Sequence, residues 1–341
     1  MRKTLLLACF SFFCSSCYLT KQGYKQLELL ASREPIDQAL NDTKTSDREK
    51  TKLKLTQNVL LFAKEQKLNV GSAYQKFIRL RGEAVSYTVQ AAMPTEIKLK
   101  TWWFPFLGSV PYLGFFDQSD RDIEAKNLEE KGYEIHRGAV TAYSSLGWFA
   151  DPVYSSMLRR SDAELAHLYF HELTHRTLWL KDGVEFNENL AEFMAGWLTD
   201  DFFNAQNRNA DLVDFKMAAK DYELFKGWLK ELRQNLERSL ASSKDQPNPR
   251  RIEEKNKVIA LAISKKPPFK LVDYVGSTTW NNARILAAAL YSPDTLAFSE
   301  ASKCYRAKEA DAKAGNFLKA LEKISENTGN GFEALKAMCK Q

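Results

Sequence analysis

The chain has 341 residues, of which 44% are hydrophobic and 27% are charged, a composition typical of a globular protein rather than a disordered or fibrous one. Forty-nine Lys and Arg residues against 43 Asp and Glu give a formal charge of +6, and no basic cluster is dense enough to predict a nucleic-acid partner. No apolar stretch reaches the roughly 18 residues that a membrane span needs, which argues against an integral membrane protein.

Residues 1–17 have the pattern of an export signal. Arg2 and Lys3 precede a short apolar stretch, and two serines precede Cys17. This pattern resembles a bacterial lipoprotein signal, in which Cys17 would be the acylated first residue of the mature chain; an ordinary secretory signal cut near the same place is the alternative. Both interpretations predict an exported protein. Because Tyr18 rather than Asp follows the cysteine, a lipoprotein would be anchored in the outer membrane and face the periplasm of a Gram-negative cell.

The first part of the mature chain predicts helices followed by a small sheet. A polar helical region extends to about Arg81, and an aromatic stretch with Pro and Gly, 104–116, is typical of a buried loop or short strand. The alternation of residues predicts strands at 83–92, 96–103 and 133–143, with a charged amphipathic helix at 117–132 between the last two.

The central helix is expected to begin with Ser161 or Asp162 as its N-cap and to extend to about Leu180, with Gly183 just beyond its C-terminus. A second helix is expected at 187–205, and residues 211–341 are mostly helical in pattern. The fold class is therefore α+β and predominantly helical, with a small antiparallel sheet packed on a helical body that carries the central helix. We expect one domain over 18–341, with the sheet and these two helices in 18–205 and a helical C-terminal part in 206–341.

Cys304 and Cys339 are candidates for a disulfide because an exported chain meets oxidising conditions. They lie in predicted helices at 299–324 and 330–340, and a straight antiparallel pair of helices would leave the two sulfurs about 20 Å apart. A break near Gly315 would bring Cys304 back toward Cys339. The sequence leaves both outcomes open.

The segment from His171 to His175 reads His-Glu-Leu-Thr-His. In a helix, residues four apart lie above one another, so His171 and His175 can bind one ion, and Glu172 can reach a water on that ion. The pattern predicts a Zn²⁺ site with Glu172 as general base. The alternative is a buried helix in which the two histidines only form hydrogen bonds. His167 cannot join them on one ion and is interpreted as a core residue or a neighbour of the ligands.

The third protein ligand is expected just downstream, where Glu185, Glu188 and Glu192 are the candidates. Glu185 is expected in the loop between the two helices. Glu188 and Glu192 lie four residues apart on one helix face, and distance along the chain does not decide between them.

Several segments together resemble the bacterial predicted-aminopeptidase family of zinc-dependent lipoproteins. They are the histidine motif, the Phe-Asn-Glu-Asn-Leu-Ala stretch at 186–191, and the segments 104–116, 142–152 and 281–284, so the resemblance covers most of the mature chain. It implies an HExxH zinc peptidase fold related to the gluzincins, with a glutamate ligand on the following helix. The Asn-Glu-x-x-Ala pattern assigns that role to Glu188, and Glu192 would then accept the free N–H of a ligand histidine.

The sequence therefore predicts a zinc-dependent peptidase with a peptide substrate, and an aminopeptidase in particular. Glu172 would take the proton of the attacking water and pass it to the leaving amine, and Tyr143 is the candidate donor to the oxyanion. Two other functions remain open: a zinc-containing envelope binding protein without catalysis, and a zinc hydrolase of a non-peptide amide such as a cell-wall linkage.

Overall fold

The computed structural model describes residues 18, 20–104, 108–142, 150–181, 183–265, 270, 275, 278–289, 295–309 and 312–340. Within these residues the chain is predominantly helical and has small antiparallel sheets, as the predicted α+β class requires. None of the described helices is long and apolar enough to cross a membrane.

The helices and strands alternate in the first half of the chain, and helices follow in the second half. The helices are α1 (20–31), α2 (Ile36–Asn41), α3 (Asp47–Glu65), α4 (Gln118–Glu130), α5 (Asp162–Thr177), α6 (Val184–Ala205), α7 (Asn209–Ser242), α8 (Asn248–Ser264), α9 (Asn282–Ala289), α10 (Leu296–Lys308), α11 (Ala314–Thr328) and α12 (Gly331–Met338). The strands are β1 (Glu34–Pro35), β2 (Lys76–Ile78), β3 (Ser86–Ala92), β4 (Trp102–Phe104), β5 (Gly108–Val110), β6 (Leu113–Phe115), β7 (Glu134–Val140) and β8 (Val153–Tyr154).

The chain forms two compact units whose segments alternate along the sequence. The first, called the sheet unit, comprises residues 1–34, 78–142 and 225–290. The second, called the histidine unit, comprises residues 35–77, 143–224 and 291–341. The expectation of a single domain over 18–341, divided at residue 205, stays a prediction.

The sheet unit is built on an antiparallel sheet with the strand order β6-β3-β7. Tyr87 in the central strand lies opposite Phe115 on one side and Ala139 on the other. Helix α4 packs on this sheet and buries Ala125 and Leu128 against the inward side chains of the strands. The predicted helix at 117–132 and the predicted strands at 83–92 and 133–143 are confirmed with slightly shorter bounds.

The predicted strand at 96–103 is wrong except for its last two residues, which belong to β4. The reason is a tertiary contact that the alternating pattern does not reveal. The Asn282 side-chain amide donates hydrogen bonds to the carbonyls of Met93, Pro94 and Glu96, at 3.2, 3.0 and 2.9 Å. These carbonyls are therefore engaged by a side chain, and residues 93–96 form a turn. After the turn, Leu99 makes only an isolated antiparallel bridge to Ala92, and the Lys100 amide donates to the Ala91 carbonyl at 2.7 Å.

The histidine unit has α5 and α6 as neighbours, with α3 packed against α5. Helix α5 begins as predicted with Ser161 as its N-cap, because the Ser161 hydroxyl accepts from the Glu164 amide and the Glu164 carboxylate accepts from the Ser161 amide. The buried Lys52 of α3 holds this end of α5. Its ammonium group binds the Asp162 carboxylate at 2.5 Å and the Arg160 carbonyl at 2.7 Å.

The turn between α5 and α6 differs from the prediction at both ends. Helix α5 ends at Thr177 rather than Leu180, and α6 begins at Val184 rather than 187, so Gly183 is the N-cap of α6 rather than the residue after α5. The Asn187 side chain causes this, because its amide donates to the Leu180 carbonyl at 2.7 Å and its oxygen accepts from the Leu180 amide at 2.9 Å. Glu185 consequently lies in the first turn of α6, not in a loop.

The C-terminal helices of the histidine unit carry a disulfide between Cys304 and Cys339. The predicted continuous helix at 299–324 is wrong, because α10 ends at Lys308 and α11 begins at Ala314. This break removes the 20 Å separation expected for straight helices, and Cys304 lies with its Cα 5.2 Å from that of Cys339. The turn from α11 to α12 passes through Gly329 with a left-handed φ of 69°, which glycine adopts without a steric penalty.

Candidate metal centre

Helix α5 brings the two predicted histidine ligands together. His171 and His175 lie four residues apart on one face, and their Nε2 atoms are 3.2 Å apart. The rest of this helix turn is core, since Phe170 and Leu173 are fully buried. The side chain of His175 is 3% exposed and that of His171 is 20% exposed, so the pair lies at the edge of a buried surface.

Glu188 reaches both histidines from α6. One carboxylate oxygen lies 3.5 Å from Nε2 of His171 and the other lies 3.5 Å from Nε2 of His175. One ligand atom from each of the three residues can be chosen so that all lie within 4.8 Å of one another, which is the arrangement of a metal-binding triad. Ala191, one turn further along α6, is fully buried, and its small side chain suits a close approach of two helices.

Glu192 lies behind this triad, one turn beyond Glu188. Its carboxylate is 3.6 Å from Nδ1 of His171, the ring nitrogen that does not face Glu188, and 3.6 Å from Nε2 of His167. Glu185 is exposed and lies outside the triad. Of the three candidate glutamates, therefore, Glu188 faces both imidazoles, Glu192 lies on the far side of His171, and Glu185 lies outside the triad.

The neighbouring carboxylates control the charge of His171. Burial by itself would lower the pKa of this imidazole, but the carboxylates of Glu188 and Glu192 and the charge of Glu172 outweigh burial and raise the pKa to about 9. The interaction with His171 and His175 in turn lowers the pKa of Glu188 to about 2. Burial lowers the pKa of His167, so this imidazole is neutral at neutral pH. Anionic carboxylates thus surround the imidazole nitrogens, and a divalent cation is the charge that such a cluster attracts.

The residues present fit a zinc ion. Two imidazoles and one carboxylate are a donor set that catalytic zinc sites use, with one further position left for water or substrate. The Nδ1 atom of His175 is buried and has no hydrogen-bond partner among the described residues, so the ring is engaged through Nε2, the atom that faces Glu188. The carboxylate of Glu192 beside Nδ1 of His171 is the kind of outer partner that orients a ligand histidine.

Glu172 and His171 line the same cavity. A cavity of about 250 Å³ opens beside His171 and is lined by Arg160, Glu164, His167, Leu168, His171, Glu172, Glu192 and Phe215. The predicted general base and a predicted ligand therefore border one space. The cavity is smaller than a typical drug-sized pocket.

Sequence reasoning missed two tyrosines near these carboxylates. Tyr74 is buried with a left-handed φ of 56°, and its amide donates to the Asp151 carbonyl at 2.7 Å. Burial and the charge of Glu172 raise the pKa of its hydroxyl well above the usual range. Partial burial and the charge of Glu192 also raise the pKa of Tyr222, on the first half of α7. Neither tyrosine belongs to a motif, so only the tertiary structure reveals them.

Two predicted functional residues lie outside the described part of the chain. Cys17, the expected lipidation site, and Tyr143, the expected oxyanion donor, are among the residues that the structure does not describe. Both assignments stay predictions.

Comparison with known proteins gives one match. A family model described as a putative aminopeptidase matches residues 17–330, which is most of the chain. No curated protein and no solved structure matches.

Proposed function

We propose that this chain, which belongs to the putative aminopeptidase family, is a zinc-dependent peptidase that removes N-terminal residues from peptides. The observation that carries the proposal is the position of Glu188. Its carboxylate lies 3.5 Å from the Nε2 atoms of both His171 and His175, and Glu172 borders the cavity beside His171. The family supports peptidase action, and the donor set supports zinc as the metal.

When bound, zinc would polarise the scissile carbonyl and lower the pKa of a water molecule to near 7. Glu172 takes the proton of the attacking water and delivers it to the leaving amine, the two steps that a single carboxylate performs in turn. Glu192 holds His171 through Nδ1, so that Nε2 keeps its orientation toward the metal position.

The oxyanion that forms at the carbonyl requires a donor. Tyr143 fills that role in this proposal because it immediately precedes the segment that leads into α5. Tyr222 is the alternative, because the charge of Glu192 acts on its hydroxyl. The substitutions Tyr143→Phe and Tyr222→Phe separate the two, since loss of the true donor should lower kcat by roughly 100- to 1000-fold.

A substrate panel tests the activity. Purified protein is assayed for zinc content and offered amino-acid amides, short peptides and cell-wall fragments, before and after chelation and again after zinc is restored. We expect release of N-terminal residues that chelation abolishes and zinc restores. Stoichiometric zinc without any turnover would instead support a non-catalytic binding protein, and turnover of wall fragments alone would support a hydrolase of a non-peptide amide. Absence of zinc binding would refute the metallopeptidase altogether.

We further propose that the protein is an exported lipoprotein, anchored through acylated Cys17 and facing the periplasm from the outer membrane. Metabolic labelling with palmitate and cell fractionation test this proposal. Wild-type protein should carry the label in the outer-membrane fraction, and Cys17→Ser should lose the label. A label on any other residue would contradict the assignment.

A further inference from the structure

The first described residue of the chain, Tyr18, is fixed to the sheet unit rather than lying on a linker. Its hydroxyl donates to the Gly114 carbonyl at 2.5 Å, and its ring lies edge-on to that of Phe115 with the centroids 5.6 Å apart. Tyr18 also packs with Phe104 against the core below the sheet. The position after Cys17 is therefore held in place by strands β4 and β6.

Helix α1 continues this attachment. The Gln22 side chain accepts from the Phe116 amide at 3.1 Å, and Lys21 binds the Asp120 carboxylate at 2.7 Å. Consecutive Cα atoms are about 3.8 Å apart, so an acyl group on Cys17 would begin within one residue of this fixed point. A lipid anchor placed there has no spacer, and the neighbouring protein surface would have to lie against the lipid headgroups.

That surface carries exposed aromatic side chains. Strands β4 and β5 pair antiparallel, with Trp102 opposite Val110, Trp103 opposite Ser109 and Phe104 opposite Gly108. Because side chains alternate along a strand, Trp102 and Phe104 face the core with Tyr18, and Trp103 faces outward and is 70% exposed. Tyr112, in the short link between β5 and β6, is 37% exposed.

The chemistry of these side chains indicates that the partner is a lipid bilayer. Tryptophan and tyrosine prefer the interface between hydrocarbon and headgroups, where the ring is buried and the polar atom remains hydrated. The exposed Lys98 adds positive charge close to the start of β4. The Lys100 ammonium instead lies over the rings of Trp102 and Tyr133, on the core-facing side. Positive charge beside interfacial aromatic residues attracts anionic lipid.

We propose that the outer face of the paired strands β4 and β5, with Trp103 at its centre and Tyr112 beside it, is a membrane-docking surface for a bilayer that contains anionic lipid. The inference builds on the proposed anchor at Cys17 but adds a second contact made by the protein itself. Docking would also fix the orientation of the sheet unit on the membrane.

Vesicle binding by the unacylated protein tests the proposal independently of lipidation. The chain from residue 17 with Cys17→Ser is mixed with vesicles of phosphatidylethanolamine and phosphatidylglycerol, and the bound fraction is measured by sedimentation. We expect measurable binding that weakens as salt is raised. Trp103→Ser should weaken it by roughly 10-fold or more, because a large side chain no longer enters the interface. Trp103→Phe should retain most of it.

Trp179→Ser is the matched control, because Trp179 is also exposed, at 38%, but belongs to the histidine unit. Its vesicle binding should equal that of the parent.

Equal binding of Trp103→Ser and the parent would overturn the proposal, and so would no binding by the parent. If Trp103→Ser instead converts a dimer to a monomer in sedimentation velocity without changing vesicle binding, the surface is a contact between two copies. If the acylated wild-type protein still binds membranes in any of these cases, the proposed lipid anchor at Cys17 is unaffected.

Discussion

The polar cluster around Asn282 in the sheet unit and the polar cluster around His171 in the histidine unit differ in what their polar groups bind. The Glu134 carboxylate accepts from the backbone amide of Asn282 at 2.8 Å and forms an ion pair with the buried Lys255. The side-chain amide of Asn282 donates to three backbone carbonyls. Most of these donors and acceptors thus bind one another, although the Oδ1 atom of Asn282 is buried without a hydrogen-bond partner among the described residues. Around His171, carboxylates and imidazole nitrogens converge on a shared point beside a cavity.

One histidine in each unit makes the contrast quantitative. Burial, together with the charges of Arg284 and Arg121, lowers the pKa of His136 in the sheet unit to about 4. Carboxylates raise the pKa of His171 to about 9 against the effect of its own burial. The two histidines are both partly buried, and their pKa values differ because the charges beside them have opposite signs. A histidine among cations stays neutral and structural, whereas one among carboxylates lies where a cation is favoured.

The largest expected effect is on metal binding in Glu188→Ala. Removing a carboxylate that lies 3.5 Å from both imidazoles leaves two neutral ligands, and zinc affinity should fall on the order of 1000-fold. Equilibrium dialysis with metal analysis measures the loss. Glu185→Ala, three residues away in the exposed first turn of the same helix, should bind zinc like the parent. Equal zinc content in Glu188→Ala and Glu185→Ala would remove Glu188 from the site.

The disulfide should have the next largest effect, on stability rather than on metal. Cys304 and Cys339 are separated by 35 residues in the sequence, and a closed loop of that length should stabilise the folded state by about 4 kcal/mol. Denaturant unfolding of Cys304→Ser with Cys339→Ser should show that loss. Because α10 and α12 contribute no ligand, zinc content should be unchanged. A stability equal to that of the parent would show that the bond is not formed in solution.

Asn282→Ala tests the sheet-unit side of the comparison. The substitution leaves the carbonyls of Met93, Pro94 and Glu96 without their side-chain donor, which should cost about 2–3 kcal/mol of unfolding free energy. Zinc content should not change, because the cluster is structural. Loss of zinc from correctly folded Asn282→Ala would contradict the distinction between the two clusters.

Glu192→Ala should have the smallest effect of the four. Its carboxylate lies 3.6 Å from the ring nitrogen of His171 that faces away from Glu188, so its removal should lower zinc affinity by roughly 10- to 100-fold and leave the site able to fill at high zinc. Titration with zinc in a competing chelator resolves a change of this size. Should Glu192→Ala lose zinc completely while Glu188→Ala keeps it, the roles of the two glutamates are reversed.

Local patterns in the sequence predicted local structure well. The N-cap at Ser161, one of two candidates, and the four-residue spacing of His171 and His175 depend only on helix geometry, and both are present in the structure. The spacing alone left Glu188 and Glu192 equal, and only the family resemblance assigned the ligand role to Glu188. In the structure the Asn187 side chain fixes the turn between the helices and so sets the register of α6.

Features that depend on distant parts of the chain were not predicted. The turn at 93–96 depends on Asn282, which lies far away in the sequence, so alternation alone suggested a strand. The break between α10 and α11 falls in a stretch of strong helix formers, so propensity predicted one helix, and the sequence left the disulfide open because it formed only if that helix was broken. The position of Tyr74 beside Glu172 follows from packing of separate segments and leaves no local signal.

The central claim is that the histidine cluster binds zinc for catalysis, and Glu172→Gln tests it most directly. Glutamine keeps the size of Glu172 but cannot accept a proton, and Glu172 is not one of the three triad residues. Zinc content and turnover are measured on the same preparation, with the best substrate from the panel. The account predicts unchanged zinc and a kcat lower by roughly 100- to 10,000-fold. Full turnover with zinc retained would contradict it.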